Sequence, residues 1–150
     1  MKIEGEYLFD GPREEVWKLV RDPEVLATCV PGIQTVNKVN DSEFTGEIAL
    51  KIGPLGGTFG GRVTVSNEVA PESCTLTVEG SGKIGFLKGI GHVVLSEQPG
   101  SKTLMKYSGE AQIGGKVASV GQRLFESVSK GMVKQGLDKL NEILKQRSAA

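Results

Sequence analysis

Much is scarce in this 150-residue chain, and each scarcity removes a class of function. Cys29 and Cys74 are the only cysteines, and neither belongs to a CxxC pair. No spacing supports a bridge between them, so both read as small buried hydrophobes. His92 is the single histidine. It has no Cys, Asp or Glu cluster at ligand spacing, which argues against a metal site, and no Ser or Cys partner for nucleophilic catalysis. Charge of one sign is missing too: 18 basic and 18 acidic residues cancel, and no segment gathers enough Lys or Arg to track phosphates. A nucleic-acid partner is therefore not expected. No apolar run approaches the ~20 residues that span a bilayer, and the opening MKIEGEYLF runs straight into a strand pattern without a signal-peptide core. The expectation is a soluble, cytoplasmic protein in one domain over 1–150.

Glycine is what the chain has in excess, with 21 residues against a usual share of ~7%. There is no Gly-X-Y period and no low-complexity run. Instead the glycines alternate with large apolar residues at strand period. Phe44, Gly46, Ile48, Leu50 and Ile52 share one face; so do Phe59, Gly61, Val63 and Val65. The same holds for Leu76, Val78, Gly80 and Gly82, for Gly91, Val93 and Leu95, and for Tyr107, Gly109 and Ala111. Side chains two apart point to the same side of a strand, so these groups face a common interior. Glycine there gives up packing, either because the sheet bends sharply or because room is left for a ligand. An apolar lining with few polar groups suits a hydrophobic small molecule.

Element signals follow in order. Residues 2–9 alternate as a half-buried strand, and Asp10-Gly11-Pro12 opens a helix carrying Val16, Trp17 and Val20, with Pro12 suited to its first position. Asp22-Pro23 starts a second short helix that Pro31-Gly32 stops. Strands are then expected near 33–39, 43–52, 58–69, 74–82, 89–97 and 102–113, joined by short turns that imply an antiparallel meander. From Gly114-Gly115 a helical period takes over through Val117, Val120, Leu124, Val128, Met132, Leu137, Leu140 and Leu144. If continuous over 115–146 it would be ~48 Å long, with a bend expected near Gly131–Gly136. The order predicts an α+β helix-grip fold: about seven antiparallel strands, curved around a long C-terminal helix, with two short helices after the first strand.

The motif Gly80-Ser81-Gly82-Lys83-Ile84-Gly85 matches G-x-G-x-x-G, but the sequel reads as loop and strand where a dinucleotide site needs a helix. It is read instead as a flap at the cavity mouth, with Phe86 and Leu87 as apolar tip and Lys83 and Lys88 beside it, suited to a transient membrane-surface or partner contact. His92 falls opposite Gly91 and Val93 and points away from the interior. Glu47, Glu68, Glu79 and Glu110 alternate outward, and Asp138 with Glu142 is expected on the solvent side of the last helix, so acid–base catalysis finds no support. Tyr107 is the inward polar group, either a core tyrosine or a partner for a ligand carbonyl. The expected lining is Leu26, Phe44, Ile48, Phe59, Val63, Leu76, Val78, Val93, Tyr107, Leu124, Val128 and Met132, gated by Phe86 and Leu87. On this reading Gly61→Leu or Gly109→Leu fills the cavity and spares the fold.

Several stretches carry a resemblance: D-P-E-V-L-A-T-C-V-P-G at 22–32, K-I-G-P-L at 51–55, G-F-L-K-G at 85–89 and Q-I-G-G-K at 112–116. In these the chain resembles the CoxG family of carbon monoxide dehydrogenase, within the START-like (SRPBCC) helix-grip superfamily. The resemblance implies an accessory protein of a molybdenum hydroxylase, linked to membrane association and electron handling and similar to carriers of a long-tailed quinone such as menaquinone. It implies no catalytic cofactor, only a bound quinone or lipid-like ligand. Gly60-Gly61 stands where a more polar pair is expected, and the sequence stops at Arg147-Ser148-Ala149-Ala150 without the tail of some relatives. Transient docking at the inner face of the membrane is therefore expected over autonomous anchoring. The competing expectations are an assembly or recruitment factor for the oxidoreductase and a cyclase- or hydratase-like enzyme.

Overall fold

Seven antiparallel strands form one sheet in the order β1-β7-β6-β5-β4-β3-β2, a meander whose first strand closes against its last. The computed structural model describes residues 1–149. The strands are β1 (Lys2–Phe9), β2 (Ile33–Asn40), β3 (Glu43–Ile52), β4 (Leu55–Val69), β5 (Ser73–Gly82), β6 (Gly85–Gln98) and β7 (Lys102–Gly114). Between β1 and β2 lie α1 (Arg13–Val20) and α2 (Pro23–Cys29), and after β7 a 3₁₀ segment (Gly115–Val120) leads to α3 (Gln122–Ala149). The helix-grip expectation holds.

Local chemistry explains the helix starts. Asp22 caps α2 by accepting from the backbone N–H groups of Glu24 and Val25, and Pro23 takes the first helical position, where its missing N–H costs nothing. Pro12 sits one place earlier than expected, as the extended residue before α1, with Glu14 and Glu15 in the first turn.

Three boundaries differ from the sequence reading. β4 begins at Leu55, because the β3–β4 turn is confined to Gly53-Pro54 and Gly53 takes φ +59°. β6 begins at Gly85, so the expected flap is a tight hairpin in which Gly82 pairs Gly85 and Ser81 pairs Phe86. Strand alternation then sends Phe86 and Leu87 to opposite faces. Finally, the expected 115–146 helix is interrupted at Gly121, whose φ of +92° no α-helix admits. α3 starts after that break and runs 28 residues, about 42 Å.

The core is divided. One cluster joins Phe9, Val16, Leu19, Val25, Cys29, Leu95 and Met105 to Leu140 and Leu144 of α3. A small one holds Phe44, Val65 and Cys74, linked to the first through Trp17 and Val93. The third, at the other end of the sheet, joins Ile52, Val117 and Phe125, with Met1, Leu87, Leu124 and Val128 against it. The helix is thus seated at both ends of the sheet. Burying those apolar side chains supplies the main drive for docking it, at roughly 25 cal/mol per Å².

Candidate functional site: the concave face

Between the end clusters the inward face of the sheet stays partly open to solvent. On β3, Phe44 and Ile52 are buried while Gly46, Ile48 and Leu50 between them are half-buried. On β7, Met105 and Ala111 are buried while Tyr107 and Gly109 are not. On β6, Leu95 is buried and Leu87, Gly89, Gly91 and Val93 are half-buried. Opposite them, Met132 of α3 is half-buried and belongs to none of the three clusters. From Val128 to Leu137 the helix crosses about 13 Å between its two anchored ends. The total accessible surface is 8572 Å², against about 7400 Å² for a compact monomer of this mass. Such an excess fits a face that is lined but not filled.

The glycines divide into two kinds. Gly46 pairs Gly61, Gly61 pairs Gly80, and Gly91 pairs Gly109. A Cβ at Gly61 would lie 2.6 Å from the Glu79 carbonyl oxygen, and one at Gly109 2.6 Å from that of Ile90. At Gly46 and Gly82 a Cβ would run into the carbonyls of Thr35 and Thr58. These four let backbone approach backbone and so bend the sheet. Gly61→Leu and Gly109→Leu therefore cannot act as harmless cavity fillers, contrary to expectation. Gly80 and Gly91 are different: a Cβ there meets nothing closer than 3.8 Å and 3.6 Å respectively. Those two accept a Cβ at ordinary van der Waals contact.

The expected lining divides as well. Ile48, Val63, Leu76, Val78, Val93 and Tyr107 are half-buried on the concave face, as are Leu26 of α2 and Leu124, Val128 and Met132 of α3. Phe44 and Phe59 are buried, Phe44 within the Val65–Cys74 cluster. Leu87 faces inward against the Ile52–Val117–Phe125 cluster. Phe86 does not line the interior: it is 42% exposed on the convex face, its ring lying across Gly114. The hairpin fixes it there, so it is no gate.

Polar groups are few. His92 is exposed on the convex face, its Nδ1 sharing a 3.0 Å hydrogen bond with the Thr75 hydroxyl. Among the described residues no group of three His, Cys, Asp or Glu could hold a metal. Tyr107 lies over Gly5, its cross-strand partner: a Cβ at Gly5 would sit 2.5 Å from the Tyr107 hydroxyl oxygen. Sequence reasoning missed a second tyrosine. Tyr7 donates a 2.6 Å hydrogen bond to Asp138 Oδ1, and Lys134 Nζ reaches Oδ2 at 2.9 Å. Burial first, and then the Asp138 carboxylate, push the Tyr7 hydroxyl well above its usual range. Asp138 thus faces β1, not solvent alone as expected, and its carboxyl is held low, first by Lys134 and then by Tyr7. The sequence signal is weak: Gly131, Lys134, Asp138, Asn141 and Lys145 share one helix face, which by composition is merely polar.

Two surface depressions, of about 470 and about 440 Å³, lie on the convex side. Arg62, Glu79 and Lys88 border the first; Glu4, Glu6 and Lys106 border the second, together with Val94, His92 and the Gly5–Tyr107 pair. No helix among the described residues is long and apolar enough to cross a membrane.

A family model for the CoxG component of carbon monoxide dehydrogenase matches residues 5–145. A conserved protein from Geobacillus kaustophilus superposes with a TM-score of 0.93 at 25% identity, over 97% of this chain and 96% of that one. A START superfamily protein from Mycobacterium smegmatis gives 0.70 at 12% identity, over 97% of each chain. The Zhui aromatase/cyclase from Streptomyces sp. R1128 gives 0.71 at 12% identity, over 99% of this chain and 95% of that one. The last two share the fold alone. No curated protein matches the sequence.

Proposed function

The chain belongs to the carbon monoxide dehydrogenase CoxG family, and from that premise we propose that it is a non-catalytic binding protein for a long apolar ligand. The observation that carries this reading is the concave face, apolar and half-exposed between two packed ends. Half-exposed Ile, Val and Leu on the inside of a sheet cost stability unless something covers them. An isoprenoid chain, flexible and uniformly apolar, would cover them without demanding polar partners, and an isoprenoid quinone is the cargo this family points to. The oxidoreductase served would be a molybdenum hydroxylase of the carbon monoxide dehydrogenase type.

A second reading, an assembly or membrane-recruitment factor, has one observation in its favour. Phe86, Ile90 and Val94 form an exposed apolar row along the convex face of β6, interleaved with Lys88 and His92. An enzymatic cyclase-like role would need an inward acid or base. The Tyr7–Asp138 pair is committed to holding α3, the buried Thr103 hydroxyl donates to the Gly11 carbonyl, and Tyr107 carries a further inward hydroxyl.

Isolation from the native host followed by organic extraction and mass spectrometry separates these readings. A near-stoichiometric isoprenoid supports the carrier. An empty protein that binds the oxidoreductase but refuses added menaquinone supports the recruitment factor.

A further inference from the structure

The strand β1 and the helix α3 run side by side in the same direction and touch at two places only a few turns apart. At one end Met1 packs with Leu124 and Val128 around the third cluster. At the other, Tyr7 meets Asp138, and Asp10 meets Asn141 and Lys145. The helix face involved is Gly131, Lys134, Asp138, Asn141 and Lys145, spaced by three and four. Going back from Asp138 to Gly131 covers about 10 Å of helix, and three residues back from Tyr7 covers about 10 Å of strand. Gly131 therefore comes level with Ile3–Gly5. A Cβ on Gly131 would find nothing within 4 Å. Here the two elements stand apart, with glycine on each side.

Into this gap reaches one polar atom. The Tyr107 ring lies across Gly5, which puts its hydroxyl above β1 at the lip of the opening. Among the described residues that hydroxyl makes no hydrogen bond, whereas Tyr7, two residues along the same face, is fully engaged. We infer that the gap between Gly5 and Gly131 is the portal to the concave face, and that Tyr107 donates a hydrogen bond there to the polar end of the ligand. The ligand class is an amphipathic molecule with a carbonyl or similar acceptor at one end of an apolar chain; the chain lies within, the acceptor at the portal. This rests on the ligand-binding reading above. Gly5 is a positioning residue, since any side chain there displaces the Tyr107 ring.

The test uses the intact protein, an environment-sensitive naphthylamine dye as apolar reporter, and two competitors: farnesylacetone and the matched hydrocarbon lacking the carbonyl. Wild type should bind the ketone about five-fold more tightly, the share of one hydrogen bond. Tyr107→Phe should abolish that preference while leaving the hydrocarbon unaffected, and Gly5→Ala should act in the same direction. Gly131→Leu should slow association of both ligands several-fold while raising Tm, because Gly in a helix interior is replaced by a better helix former. A ketone preference that survives Tyr107→Phe, or an unchanged association rate in Gly131→Leu, overturns the portal and leaves the carrier reading standing. Failure of wild type to bind either competitor overturns both.

Discussion

The hydroxyl of Tyr7 on β1 lies 2.6 Å from Asp138 Oδ1 on α3, joining residues 131 apart in sequence. Asp10 repeats the arrangement one turn on, accepting from Asn141 Nδ2 at 2.9 Å and facing Lys145 at 3.4 Å and Lys102 at 3.7 Å. Together they latch the C-terminal helix beside the first strand.

That latch gives stability a two-sided pH dependence. Asp138 is held below the ordinary 3.8 by Lys134 and then Tyr7, and Asp10 by Asn141 and then Lys145. Lowered carboxyls stabilise the fold above 3.8 and lose that contribution as pH falls through their native values. Tyr7, raised by burial and by Asp138, stabilises it below the ordinary 10.0 and loses that as pH rises further. Thermal melts should be flat from about pH 5 to about pH 9 and fall at each extreme. Tyr7→Phe should lower Tm by a few degrees and reduce the alkaline arm to the share of the buried Cys29 and Cys74 thiols, leaving in place the acid arm that Asn141 and Lys134 mainly set.

The two kinds of glycine predict opposite outcomes for the same substitution. Gly61→Leu and Gly109→Leu drive a Cβ into a neighbouring carbonyl and should cost more than the ~1–3 kcal/mol of ordinary overpacking. Gly80→Leu and Gly91→Leu place a Cβ at ordinary contact distance on the half-exposed concave face and should fold, with Tm within a few degrees of wild type, and lose ligand. Far-ultraviolet circular dichroism with the dye titration distinguishes them. Binding retained in both folded variants would show that this part of the concave face is not used.

Packing at the ends and in the middle should separate stability from binding. Leu144, 1% exposed, should cost about 2–5 kcal/mol on conversion to Ala without changing ligand selectivity. Met132→Ala should change stability little and weaken apolar ligands several-fold, as read by urea unfolding and by titration.

Cys29 and Cys74 are buried free thiols whose ionisation is pushed up, in each case mainly by burial. Both should react slowly with a thiol reagent at neutral pH and quickly in denaturant. Rapid labelling of the native protein would contradict their placement.

The fold is legible in the sequence because period-two alternation and turn residues name strands directly, and the antiparallel order needs only short connections. Less legible is whatever depends on a partner strand or helix. Gly85–Lys88 looks like loop by composition, yet Gly82 opposite Gly85 keeps it in the ladder. The break at Gly121 is a matter of φ, invisible to helical period. Facing is visible for Ile48, Val63, Leu76, Val78 and Val93, since parity sets it. Whether a glycine bends the sheet or empties it depends on cross-strand backbone distances, which is why Gly61 and Gly80 look alike in sequence and differ in structure. Helical pattern alone puts Asp138 on the solvent side, because nothing within α3 announces Tyr7.

The central claim, that the open concave face holds an apolar ligand, is tested most directly by native mass spectrometry and organic extraction of the protein from its own host. The account predicts a near-stoichiometric isoprenoid in wild type that is absent from Gly80→Leu. A wild-type protein that arrives empty and also refuses added menaquinone would contradict it.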